Sequence, residues 1–126
     1  MVYPRASLRI ELGPEERFGP GKIRLLELVG STGSISAAAR EMNMSYRRAW
    51  LLIDEMNRMF KAPVIAAVTG GAHGGGAKLT ELGEKLIAIY RGIERESTAL
   101  ALRKIGALME TEAEPQPAAA RRSKQT

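Results

Sequence analysis

The chain has no cysteine, which removes disulfides, thiolate metal sites and cysteine nucleophiles from consideration. Its one histidine, His73, has no second histidine to pair with and few carboxylates around it, so a metal ion there would be short of ligands. No apolar run approaches the roughly 18 residues of a membrane span. The N-terminus, interrupted by Pro4, Arg5, Arg9 and Glu11, lacks the apolar core of a signal peptide. Internal repeats of solenoid period are missing too. These absences lead to the expectation of a cytoplasmic protein that stays soluble where it is made.

What is present suffices for one domain, since 126 residues with 44% apolar content can enclose a single core. The formal charge is +5, and the whole excess lies before Glu110, because Glu110, Glu112 and Glu114 cancel Arg121, Arg122 and Lys124. A basic body suits a polyanionic partner, although charge alone does not single one out. Beyond Glu110 the chain turns to Glu, Pro, Ala, Arg and Ser, with too little apolar bulk to offset the entropy of ordering. The expected organisation is a folded domain over residues 1–110 and a disordered tail over residues 111–126.

Ser7 to Glu11 alternates apolar and polar residues and reads as a short half-buried strand. After the Gly-Pro punctuation at residues 13–21, Ile23, Leu26 and, with them, Leu25 and Val29 recur at helical spacing until Gly30, Thr32 and Gly33. Ser34 caps a short second helix, in which Ala37, Ala38 and Ala39 let a neighbouring helix approach closely. Asn43 and Met44 form a tight turn, and Ser45 caps a third helix. Its residues Tyr46, Ala49, Trp50, Ile53, Met56 and Phe60 stand at offsets 0, 3, 4, 7, 10 and 14, one apolar stripe opposite Arg47, Arg48, Asp54, Glu55 and Arg58. On this spacing Trp50 belongs to the core, whereas the Tyr46 ring can pack while its hydroxyl reaches outward. Asp54 and Glu55 have no base or nucleophile at helical spacing and read as solvated or paired with Arg58.

Pro63 ends that run, and Val64 to Thr69 favours an extended strand. The string VTGGAHGGGAKLT (residues 68–80) then packs glycines around His73, with a short return strand from Ala77 to Leu79. A nucleotide-binding enzyme is excluded by spacing. Lys78 is displaced from its place in a P-loop, and Gly71-Ala72-His73 does not continue into GxGxxG. No catalytic residue and no cofactor is expected. Thr80 caps a long helix carrying Leu82, Leu86, Ile89, Tyr90 and Ile93, with Leu100, Leu102, Ile105 and Leu108 as its extension. The stripe Leu82, Leu86, Ile89, Ile93 reads either as a dimer seam or as packing onto its own domain.

Helix, tight turn and longer helix from Ser34 to Phe60 have the spacing of a helix-turn-helix. The strand, glycine-rich turn and return strand that follow make it a winged helix-turn-helix, mainly α with a small antiparallel β-wing. In that arrangement the second helix offers its first residues to the major groove of DNA. Arg47 and Arg48 carry planar donor forks suited to guanine edges or phosphates. Ser34, Ser36 and Ser45 sit beside free backbone N–H groups at helix starts. The wing, Gly70 to Lys78, would reach the flanking backbone or minor groove, with His73 at its apex and Lys78 on the return. The alternative is a helix-turn-helix that has become a protein-interaction module and no longer binds a specific operator.

The strings GSIS (33–36), SYRRAW (45–50), DEMN (54–57), TGGAHGGGAKLT (69–80) and GEKLI (83–87), in this order and spacing, resemble the N-terminal DNA-binding domain of the ModE-type molybdate-responsive transcription regulators. The resemblance covers Ser7 to Glu96. It implies a homodimer joined through its long helices, double-stranded DNA with a palindromic operator as partner, and control of genes for molybdate uptake or molybdoenzymes. It also implies DNA contacts at Ser34, Ser36, Ser45, Tyr46, Arg47, Arg48, Gly71, His73 and Lys78. Arg47 and Arg48 occupy the variable places of the SYxxAW pattern, so their base preference is not inherited. Family members continue into molybdate-binding Mop-like domains, where this sequence shows a proline- and alanine-rich stretch. The expectation is a stand-alone DNA-binding subunit, or one regulated by its concentration or by a partner, and not direct sensing of molybdate.

Overall fold

The computed structural model describes residues 3–69 and 76–112. They fall into two compact units, one spanning Ser7–Glu94 and the other combining Met1–Ala6 with Arg95–Thr126. In chain order the elements are β1 (Ile10–Glu11), β2 (Arg17–Phe18), α1 (Pro20–Thr32), α2 (Ile35–Glu41), α3 (Tyr46–Asn57), β3 (Ile65–Val68), β4 (Gly76–Leu79) and α4 (Glu81–Thr111). This is the mainly helical fold with a small antiparallel wing that the sequence predicts. The tail residues 113–126 and the wing residues 70–75, including Gly71 and His73, lie outside the described residues.

Several boundaries move for identifiable reasons. The strand expected over Ser7–Glu11 contracts to β1, which pairs antiparallel with β2 in the register Ile10↔Phe18 and Glu11↔Arg17. At two residues β2 is too short to show any alternation. Helix α1 starts at Pro20 and not at Lys22, since a proline in the first turn has no N–H to leave unpaired. It runs through Gly30 and stops at Gly33, whose φ of 72° is the left-handed conformation that a glycine adopts without steric cost and whose N–H bonds to Val29 O.

The core of the Ser7–Glu94 unit is built from Ile23, Leu25, Leu26 and Val29 of α1, Ala38 and Ala39 of α2, and Ala49, Ile53 and Met56 of α3. The three alanines admit the close approach of α1, α2 and α3. The apolar stripe of α3 is narrower than its sequence suggests. Trp50, expected in the core, is 46% exposed, because the inward line passes through Ala49, Ile53 and Met56 and leaves residue 50 about 100° round the helix from Ala49. Phe60 stands beyond the end of α3 and stacks on Phe18 with ring centroids 5.9 Å apart.

The first part of α4 is locked onto this unit by one phenol and one ion-paired cluster. Tyr90 is buried, and its hydroxyl donates to Leu8 O at 2.6 Å. Burial pushes that phenol above its ordinary pKa. Arg91 grips Glu27 of α1 with two donors, at 2.8 and 3.0 Å, and Glu94 with a third at 2.8 Å. The hydrogen bond from Arg91 holds the Glu27 carboxyl below its usual range, and the same bond pushes the Arg91 pKa up.

In the second unit, Ala6 N–H donates to Thr98 Oγ1 at 3.0 Å. Leu100, Leu102, Ile105, Leu108 and Met109 are exposed along the remainder of α4. No described helix is long and apolar enough to cross a membrane.

Candidate nucleic-acid interface

The turn between α2 and α3 is set by main-chain bonds. Asn43 takes a φ of 54°, tolerable because asparagine is among the few side chains that enter the left-handed region readily. Met44 N–H then bonds to Ala39 O at 3.0 Å. Ser45 follows in an extended conformation, and its hydroxyl accepts from Arg48 N at 3.1 Å, so α3 begins at Tyr46. Ser34 caps α2 in the same way, accepting from Ala37 N at 3.0 Å. Replacing Ser45 by alanine is expected to cost about 1 kcal/mol, read as a lower denaturation midpoint with an unchanged m-value.

The charges along α3 are unequally answered. Toward its C-terminal end, Arg58 pairs with Asp54 at 2.8 Å and Lys22 of α1 pairs with Glu55 at 3.3 Å. Toward its start, Arg47 and Arg48 are exposed and find no carboxylate among the described residues. The acids of α3 are therefore neutralised within the fold, while the two arginines at its start keep their full positive field. Ser36 on α2 is exposed as well, and Tyr46, 53% exposed, projects beside it.

Two clefts border this end of α3. One, of about 260 Å³, is lined by Ser34, Ile35, Ser36, Tyr46, Gly76 and Ala77 and so joins the starts of α2 and α3 to the wing strand β4. The other, also of about 260 Å³, is lined by Ser45, Arg47, Arg48, Leu51 and Leu52. Four of the residues expected to act together, Ser34, Ser36, Tyr46 and the neighbouring Ser45, are thereby gathered at one edge with both arginines. Lys78 is exposed on β4, where the alternation buries Ala77 and turns its neighbour outward.

Three sets of bonds hold the wing, one to the end of α1, one between its own strands and the start of α4, and one to the end of α3. Ala77 N donates to Gly33 O at 3.0 Å, so the residue that ends α1 also seats β4. A side chain at Gly76 would place its Cβ 2.7 Å from that same carbonyl, which no real contact allows. Thr80 N donates to Val64 O at 3.0 Å while the Thr80 hydroxyl donates to Pro63 O at 2.7 Å and accepts from Gly83 N at 3.1 Å. The third set comes from Asn57, the last residue of α3. Its Oδ1 accepts from Val64 N at 2.8 Å and Ile65 N at 3.2 Å, and its Nδ2 donates to Ile65 O at 3.3 Å. In the sequence Asn57 stands only as the last residue of the DEMN string, with no bonding role assigned to it. The available signal was an amide side chain ending the helix just before Pro63 and a β-branched run.

The four residues considered as a dimer seam divide. Leu82 and Leu86 pack partly buried against the core of their own unit, whereas Ile89 is 59% and Ile93 is 36% exposed. Among the described residues no group of three histidine or carboxylate side chains is placed to hold a metal ion.

Residues 21–84 match the family model of the bacterial regulatory helix-turn-helix proteins, lysR family. Over 78 residues the chain is 54% identical to the molybdenum-pterin-binding protein MopB of Rhodobacter capsulatus, covering 62% of this chain and 29% of that protein. It is 44% identical over 92 residues to the molybdenum transport protein ModE of Azotobacter vinelandii, covering 73% of this chain and 33% of that protein. With the DNA-binding transcriptional dual regulator ModE of Escherichia coli K12 it shares 42% identity over 71 residues, 56% of this chain and 27% of that one. The chain thus spans about a third or less of the length of these curated relatives. A MarR family protein from Bacillus stearothermophilus has a similar fold, with a TM-score of 0.50 at 17% identity, over 86% of this chain and 71% of that one.

Proposed function

Because the chain belongs to the lysR family of bacterial regulatory helix-turn-helix proteins, we propose that it is a DNA-binding transcription regulator of the ModE type. Its α3 would lie in the major groove and its wing against the flanking backbone or minor groove. The observation that carries this reading is the split along α3, where every acid is paired within the fold and both arginines at the helix start are left open. Such a surface favours a polyanion that can approach the start of a helix end-on. Ser34, Ser36, Ser45 and Tyr46 would take phosphates or base edges around the arginines. Lys78, with Gly71 and His73 of the wing, would take the neighbouring backbone.

The operator would be two-fold symmetric, because exposed Ile89 and Ile93 give α4 an apolar face that a second copy could cover, with Leu82 and Leu86 at its inner edge. Selecting bound duplexes from a random pool tests both parts. A palindromic motif is the expected result, and a pool that never departs from random would refute DNA recognition. A protein-interaction module is the second reading, drawing on Trp50 and Leu51, 46% and 47% exposed on α3. It gains if no duplex is selected while a protein partner co-purifies.

The curated relatives are named for molybdenum binding or transport, yet the roles proposed for these residues involve only the phosphates and bases of a duplex and no molybdate. Adding molybdate to the 126-residue chain is therefore expected to leave its affinity for a selected duplex unchanged, as read by fluorescence anisotropy.

A further inference from the structure

A third cleft, of about 320 Å³, lies on the side of α3 away from the wing contacts, between the β1–β2 hairpin and the α2–α3 turn. Its walls carry four cations, Arg9 and Arg17 from the hairpin, Lys22 from α1 and Arg48 from α3, over a floor that includes Met42 and Leu52. No carboxylate lines it. Lys22 is occupied, holding Glu55 at 3.3 Å and Arg17 O at 2.8 Å. Arg9 and Arg17 are exposed and have no ion-pair partner among the described residues. Glu11 stands opposite Arg17 in the ladder without forming an ion pair with it, and the other hairpin acids, Glu15 and Glu16, are exposed outside the cleft.

We propose that this cleft is a second phosphate-binding wall, in which Arg9 and Arg17 receive the DNA backbone on the side of the major groove opposite the wing. The proposal rests on the reading of α3 as the groove-facing helix. Three observations support it. Arg48 and Leu52 line both this cleft and the one beside Arg47, so the two form one continuous basic track along α3 and not an isolated pocket. A duplex presents phosphates on both banks of the groove, while the wing can serve only one of them. Three arginines without counterions around one cleft are an electrostatic cost that a polyanion relieves, and the guanidinium fork suits phosphate oxygens.

The test compares the wild-type chain with Arg9→Ala/Arg17→Ala on a duplex selected by the wild type and on an unrelated duplex, over a series of salt concentrations. The two side chains are exposed and unpaired, so folding should survive, and circular dichroism checks this. The double variant is expected to lose roughly tenfold in affinity for both duplexes alike, with the slope of log K against log salt smaller by about two. Arg9→Lys/Arg17→Lys should retain most of the slope. Lys61→Ala/Lys85→Ala, which removes the same charge from residues lining none of the three clefts, should change it by much less.

A slope in Arg9→Ala/Arg17→Ala equal to that of the wild type overturns the second wall and leaves the function of α3 standing. Thermal stabilisation by inorganic phosphate that vanishes in the variant, with duplex binding unaltered, would assign the cleft to a free anion and overturn it as well. A wild-type chain that selects no duplex removes the DNA reading and this inference together.

Discussion

Replacing Arg47 and Arg48 together by alanine is expected to weaken binding to a selected duplex by at least about 2 kcal/mol, a loss of roughly 30-fold or more, and to flatten its preference over unrelated sequences. The size follows from the geometry. Both side chains project from the first turn of α3 into solvent, with no ion pair inside the protein to give up. A bidentate arginine at a guanine edge discriminates by about 1–3 kcal/mol against the wrong base. Stability should hardly change, since surface substitutions free of caps and pairs stay within about 0.5 kcal/mol. Binding curves on the selected and scrambled duplexes, beside a denaturation curve, separate these effects. Undiminished preference in the double variant would show that α3 does not read the bases. The single tryptophan, Trp50, lies on the same helix, so its emission offers a label-free report of the same titration.

Asn57→Ala is expected to lower stability by about 2 kcal/mol or more and to impair duplex binding although Asn57 itself touches no proposed contact. The amide N–H of Val64, a fully buried residue, donates to Asn57 Oδ1, and alanine leaves that donor without a partner. An unsatisfied buried donor costs about 1–3 kcal/mol, and the bonds to Ile65 N and Ile65 O are lost with it. Asn57→Asp keeps the acceptor for both N–H groups but turns a carboxylate oxygen toward the Ile65 carbonyl, so it should fall between wild type and alanine. Equal midpoints for all three proteins in urea would mean that the main chain alone seats the wing.

Asn57 and Trp50 mark how far the sequence can be read. The helical hairpin was legible because caps, alanines and apolar spacing at Ser34, Ala38, Ser45 and Ile53 act locally, within a turn or two of helix. The wing was legible because its β-branched run and glycines lie next to each other in the chain. Asn57 was not, because its partners are fixed only once the chain has turned back on α3. Trp50 is exposed and not in the core because a spacing of three and four marks a broad face, and the packing of α1 and α2 decides which part of it is covered. The cleft between β1–β2 and α3 draws Arg9, Arg17 and Arg48 from separate stretches, and no local pattern brings them together.

Beside the Asn57 side chain, two main-chain bonds hold the wing. Gly33 O receives Ala77 N, and Val64 O receives Thr80 N. Neither bond involves the side chain of Arg47 or Arg48, so exchanging those two residues leaves these attachments in place. On the proposed function, new residues at positions 47 and 48 would readdress the protein to a different sequence while the spacing between α3 and the wing stays the same. The letters can change on such a frame without altering the ruler, whereas an insertion at Gly33 or Gly76 would alter the ruler itself.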